Sequence, residues 1–240
     1  MDAFFKKNYK PLSLIMFFSF ISYSCEEEFL IIKAKVNTQA ISEITHNSAL
    51  SGGILIFDGG DGISEKGVVY SSRPRPTVND QHIVSGQGMG DFNTVIHGLR
   101  SGTQYFVRAY ASNSVGLSYG CELDFTTLPS VPELELFEIM EVSVHSAEAK
   151  GGIIHDGGAS VSEKGFCWST SLEPTVDDHA IFDEGWTGNK ISLLIPGLNP
   201  NTHYFLRAFA KNRFGISYSK TGEFKTKDRL PDAPKLPGNN

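Results

Sequence analysis

Apolar and polar positions alternate with a period of two along most of this chain, and the clearest alternation occurs twice. Tyr204, Leu206, Ala208 and Ala210 fall on one side of an extended segment, and Phe205, Arg207 and Phe209 fall on the other. The first set is expected to face inward. The same run stands 99 residues earlier, where Leu99, Thr103, Tyr105, Phe106, Arg108 and Ala109 match Leu198, Thr202, Tyr204, Phe205, Arg207 and Ala208. Each run opens on a corner: a Leu able to plug one end of a core, a Gly or Pro to turn the chain, and a Tyr entering the next strand. Such a Tyr buries its ring and bonds the backbone just upstream through its hydroxyl, so Leu99, Tyr105, Leu198 and Tyr204 are predicted to be structural.

The correspondence extends well beyond the corner. Ser48 to Ile54 parallels Ser146 to Ile153 as a strand of small and apolar residues, and Asp58-Gly59-Gly60 and Asp156-Gly157-Gly158 read as turns in which Gly supplies positive φ. Ser64-Glu65-Lys66-Gly67 matches Ser162-Glu163-Lys164-Gly165, with Phe166 and Trp168 sharing a face that is expected to be core. Pro76-Thr77-Val78 and Pro174-Thr175-Val176 are confined to an edge or a connection, because Pro cannot donate to a ladder. Asn113-Ser114-Val115-Gly116 and Asn212-Arg213-Phe214-Gly215 read as hairpin turns. Turn signals at intervals of about 8 to 12 residues, without a helical period, predict sandwiches of roughly seven strands.

Domain organisation follows from the repeat. We expect a first domain over 36–128, a linker over 129–132, a second domain over 133–227 and a tail over 228–240. Pro129-Ser130-Val131-Pro132 is short and stiff, so the pair is expected to be semi-rigid.

Residues 1–24 are of a different character. Lys6, Lys7 and Lys10 precede an apolar run over 12–21, then Ser22-Tyr23-Ser24 lead to Cys25, which is the layout of a secretory signal. The run is about half the roughly 20 residues a spanning helix needs, which argues against the alternative of a membrane anchor helix. Cys25 after small residues and before Glu26-Glu27-Glu28 resembles the lipobox of bacterial lipoproteins, in the relaxed form followed by an acidic run that is similar to surface-export signals of Bacteroidota. Ser22 and Tyr23 depart from the usual box. The resemblance implies an acylated Cys25, residues 25–35 as an acidic tether and lead-in, and an outer-membrane, cell-surface location. The alternative is a soluble secreted form with Cys25 free. Loss of Lys6, Lys7, Lys10 and Asp2 would take the formal charge from −6 to about −8.

An acidic balance without a Lys/Arg cluster argues against nucleic acid as a partner. The corner, the Arg-Ala-aromatic-Ala-x-Asn-x-x-Gly strand and hairpin, and the Phe-x-Thr ending resemble the fibronectin type III family as carried by many Bacteroidota surface proteins. That resemblance implies an all-β chain of two tandem immunoglobulin-like sandwiches. An obvious Trp is missing from the second strand, with Trp168 or Tyr70 on the third filling that space, and no Arg-Gly-Asp tripeptide is present.

Candidate binding residues are Phe106, Arg108 and Tyr110 in one repeat and Phe205, Arg207 and Phe209 in the other, where exposed rings and guanidinium groups would stack on sugars or anchor a protein. Because both repeats carry the row, cross-strand packing is the competing explanation. Trp186 on a Gly-flanked loop has no counterpart and is the more individual candidate, with capping of the sandwich as its alternative. Asp58 and Asp61 lack a later carboxylate in calcium-loop register, and the seven histidines lack zinc spacing, so no metal or cofactor is expected. Cys121 and Cys167 are expected to be unpaired. Asp177-Asp178 and Asp183-Glu184 are expected to be solvated loops, and no catalytic constellation is evident. The sequence thus points to a non-enzymatic surface lipoprotein acting as a protein-interaction or spacer module. The alternative is a glycan-binding accessory lipoprotein of a polysaccharide uptake or degradation system.

Overall fold

A computed structural model describes residues 30–185 and 188–229. Cys25, and with it the whole signal segment, and Trp186 lie outside the described residues. The described chain is all-β. The first half contains β1 (Lys35–Thr38), β2 (Ser48–Phe57), β3 (Glu65–Ser71), β4 (Gln81–Gly86), β5 (Phe92–His97), β6 (Gln104–Asn113), β7 (Gly116–Tyr119) and β8 (Leu123–Thr126). The second repeats the order with β9 (Glu133–Met140), β10 (Ala147–His155), β11 (Glu163–Ser169), β12 (His179–Phe182), β13 (Lys190–Ile195), β14 (His203–Asn212), β15 (Gly215–Tyr218) and β16 (Gly222–Lys225).

Each half is a two-sheet, sandwich-like unit. In the first, a sheet of order β1-β2-β5 faces one of order β4-β3-β6-β7, with β8 also paired to β6. In the second, β9-β10-β13 faces β12-β11-β14-β15, with β16 paired to β14. The alternation read from sequence places the cores. Val68, Ile96 and Val107 are fully buried in one half; Phe166, Leu206 and Ile195 are fully buried in the other, with Trp168 in the same cluster. Burying one such side chain stabilises by roughly 1.5 to 3 kcal/mol.

The halves have eight strands rather than about seven because the closing strand is interrupted. At the break Gly120 lies against β1, where a Cβ would come 2.5 Å from the backbone nitrogen of Thr38. The Thr38 hydroxyl accepts the Ala109 N–H at 3.0 Å, joining the two sheets at the point where the ladder is broken. In the second half Ser219 Oγ accepts the Ala208 N–H at 3.0 Å.

The corner is well defined in both halves. Tyr105 Oη accepts the Arg100 N–H, and Tyr204 Oη accepts the Asn199 N–H, each at 3.0 Å. Both tyrosines, together with Leu99 and Leu198, are buried.

Segments read as tether and linker play matching parts. Ile32 donates its N–H to Gly59 O, and Ser130 donates to Gly157 O, both at 2.9 Å. Asn113 Nδ2 donates to Ile32 O at 2.6 Å and Asp58 O at 2.9 Å; Asn212 Nδ2 donates to Ser130 O at 2.8 Å and Asp156 O at 2.9 Å. Packing of the first half therefore begins before residue 36, and Lys35 opens β1 rather than ending a tether.

Candidate functional site

The outward row of β6 and β14 is determined by what lies across it. The ladder sets Arg108 opposite Val69 and Arg207 opposite Cys167. Each guanidinium then stacks on a tyrosine of the closing strand, 4.5 Å from the Tyr119 ring and 4.6 Å from the Tyr218 ring. Arg108 Nε donates to Gly120 O at 3.1 Å, and Arg207 Nε donates to Ser219 O at 3.0 Å. The connection after β3 or β11 folds over this face. Pro76 and Pro174 are buried, Val78 donates its N–H to Tyr119 Oη at 3.1 Å, and Val176 donates to Tyr218 Oη at 3.3 Å.

Two of the candidate binding residues are corrected by this packing. Tyr110 and Phe209 are both 0% exposed and present no surface for stacking. Tyr110 lies over the bare backbone of Gly67 and donates its hydroxyl to Glu65 Oε1 at 2.7 Å; burial, then that hydrogen bond, raises its pKa well above the ordinary phenol value. Phe209 takes the edge of Phe182 with ring centroids 5.2 Å apart. Phe106, Arg108, Phe205 and Arg207 are half-buried, and Phe205 packs edge-on with His203 at 4.9 Å. Tyr110, Phe209, Arg108 and Arg207 therefore serve cross-strand and loop packing.

Other reactive groups are also occupied structurally. Cys121 is exposed and Cys167 buried, and both are free. Burial pushes the Cys167 thiol up to about 12, and its Sγ donates to Pro174 O at 3.3 Å. Asp58 Oδ1 accepts the Gly60 N–H at 2.9 Å, while Asp61 Oδ2 accepts the Ser114 N–H at 3.0 Å, which holds its carboxyl below the usual range. Among the described residues no group of three His, Cys, Asp or Glu side chains converges on a point.

Sequence reasoning missed two buried lysines. Lys66 donates to Gly88 O at 3.0 Å and Gly90 O at 2.8 Å. Lys164 donates to Gly188 O at 2.8 Å and pairs with Asp183 at 3.3 Å, so Asp183 is not a merely solvated loop carboxylate. The signal available was the shared Ser-Glu-Lys-Gly, a charge kept at the same position in both repeats.

A concave surface lies where the halves meet. A cavity of about 610 Å³ is lined by Tyr70, Arg73, Asn79, Asp80, Gln81 and Arg100 among others from the first half and by His155 from the second. An adjoining cavity of about 460 Å³ shares Arg100 and His155 and adds His46 and Glu133. Beside them the backbones of Gly102 and Gly158 touch so closely that a Cβ on Gly102 would come 2.4 Å from Gly158 Cα. Gly102 has φ +56°, and the matching corner residue of the second half, Asn201, has φ 50°. A left-handed residue is thus needed at both corners, but only the junction needs one without a side chain. Both halves fall within one compact unit.

Comparison with protein-family models and with curated proteins finds no match to this chain.

Proposed function

We propose that this chain works by binding rather than catalysis, as a lipid-anchored surface protein whose two sandwiches are of the fibronectin type III kind. The observation that carries the reading is the junction: the Gly102–Gly158 contact fixes two repeats of the same fold against each other and leaves a polar crevice between them. Support for the fold type comes from the strand order, three strands against four or five, with a Tyr entering β6 or β14 and bonding the backbone five residues upstream. On this reading Cys25 carries the acyl chains, several of which make an anchor stable rather than reversible. Residues 25–31 then form a short tether, and the two halves present their crevice and loops outward. The leading role is protein interaction or spacing at the outer membrane. A glycan-binding role as an accessory to polysaccharide uptake is favoured by the predominantly polar crevice.

The anchor is tested by replacing its attachment point. Cys25→Ala is expected to move the protein from the detergent phase to the aqueous phase on phase partitioning, and to abolish its release by protease shaving of intact cells. Unchanged partitioning would refute lipidation at Cys25.

A further inference from the structure

We propose that the junction crevice binds an acidic saccharide, with a uronate carboxylate held by Arg73 and Arg100; this rests on the glycan-binding reading above and gives it a site and a ligand class. The two halves supply an internal control, because a side chain that both use for the same packing recurs at the matching position. Arg108 and Arg207 recur, and both are stacked and bonded within their own sheet. Arg73 and Arg100 do not recur: the matching residues of the second half are Ser171 and Asn199.

The backbone roles at these positions are nevertheless kept. Arg100 and Asn199 each donate their N–H to the corner tyrosine at 3.0 Å. Only the side chain differs, and Arg100 lines both cavities at the junction. Neither Arg73 nor Arg100 is among the ion pairs of the described residues.

The surrounding groups suit an anion attached to a hydroxylated ring. Among the described residues Asp80 is the one carboxylate lining the larger cavity, and its Oδ2 already accepts the Thr77 N–H at 2.9 Å and the Thr77 hydroxyl at 3.2 Å. His155 accepts the Gly157 N–H on Nδ1 at 3.0 Å, which leaves the proton of the neutral ring on Nε2 as a further donor. A planar guanidinium matches a carboxylate through two parallel N–H bonds. Asn79 and Gln81 offer amides that both donate and accept, as ring hydroxyls require, and Tyr70 offers an aromatic surface. A volume of about 610 Å³ lies within the range of small-molecule sites, roughly 300 to 1,000 Å³.

The test is calorimetric titration of the full chain in detergent with oligogalacturonate and with its methyl ester. The acid is expected to bind and the ester to bind about tenfold or more weakly, since esterification removes the charge. The double variant Arg73→Ser, Arg100→Asn installs the residues of the second half. It should keep the wild-type melting temperature and lose about tenfold or more in affinity for the acid. Equal binding of acid and ester would overturn the proposal, and so would an unweakened double variant or no binding of either oligomer. Wild type and double variant binding the oligomer equally would leave the glycan reading standing with this site refuted, whereas the lipid-anchored reading fails only on the Cys25→Ala result.

Discussion

The hydroxyl of Tyr204 is one oxygen atom, yet it holds the corner on which the second half closes. It accepts the Asn199 N–H inside a 5% exposed site, so removing it leaves a backbone donor without a partner. Tyr204→Phe keeps the ring and is expected to cost about 1 to 3 kcal/mol in chemical denaturation; a change near zero would mean that water replaces the bond. Cys167 makes a second residue-scale statement. Burial raises its thiol from the ordinary 9.0 to about 12. Near pH 8 iodoacetamide should therefore modify exposed Cys121 and reach Cys167 only on unfolding, and rapid labelling of both in the folded chain would contradict the packing. The sign of the linkage follows from the raised value: the stability contributed by the buried neutral thiol is fully present below about 9 and is lost as pH rises toward about 12.

At the scale of the strand, β11 shows how a charged residue is built into a sandwich. Lys164 is 3% exposed, and its ammonium is held by Asp183 and the Gly188 carbonyl from the segment between β12 and β13 and by the carbonyl of Lys190, the first residue of β13. Asp183→Asn removes the compensating charge while keeping the shape, and should destabilise by about 1 to 3 kcal/mol, read from the urea midpoint. No loss would show that the carbonyls alone satisfy the ammonium. Strand positions, turns and the inward face of β14 were legible in the sequence because they depend on period two and on Gly or Asp within a few residues. What covered the outward face was not. Tyr110 and Arg108 stand on the strand face that exposed residues would take, but Arg108 is covered by Tyr119 of the next strand, whose hydroxyl is in turn bonded by Val78 from a loop far away in sequence. Lys66 and Lys164 escaped for the same reason, since their carbonyl partners lie 22 to 26 residues away. The crevice was illegible because it needs two halves placed together, and its candidate ligands Arg73 and Arg100 are residues that the repeat does not share.

Across the whole molecule, each half receives the segment before it in the same way. Ile32 docks on Gly59 as Ser130 docks on Gly157, pinned in turn by Asn113 and Asn212. The linker is therefore part of the second half's packing and not a free hinge. The halves also touch at Gly102, a corner position where the second half carries Asn201 and the first has no room for a side chain. Residual dipolar couplings measured on both halves of the Cys25→Ala chain test this lock most directly. A single alignment tensor should fit both halves of that chain, and Gly102→Asn, which suits the left-handed backbone but adds a Cβ against Gly158, should require two. Two tensors already in the chain that keeps Gly102 would contradict a fixed junction and, with it, a preformed crevice.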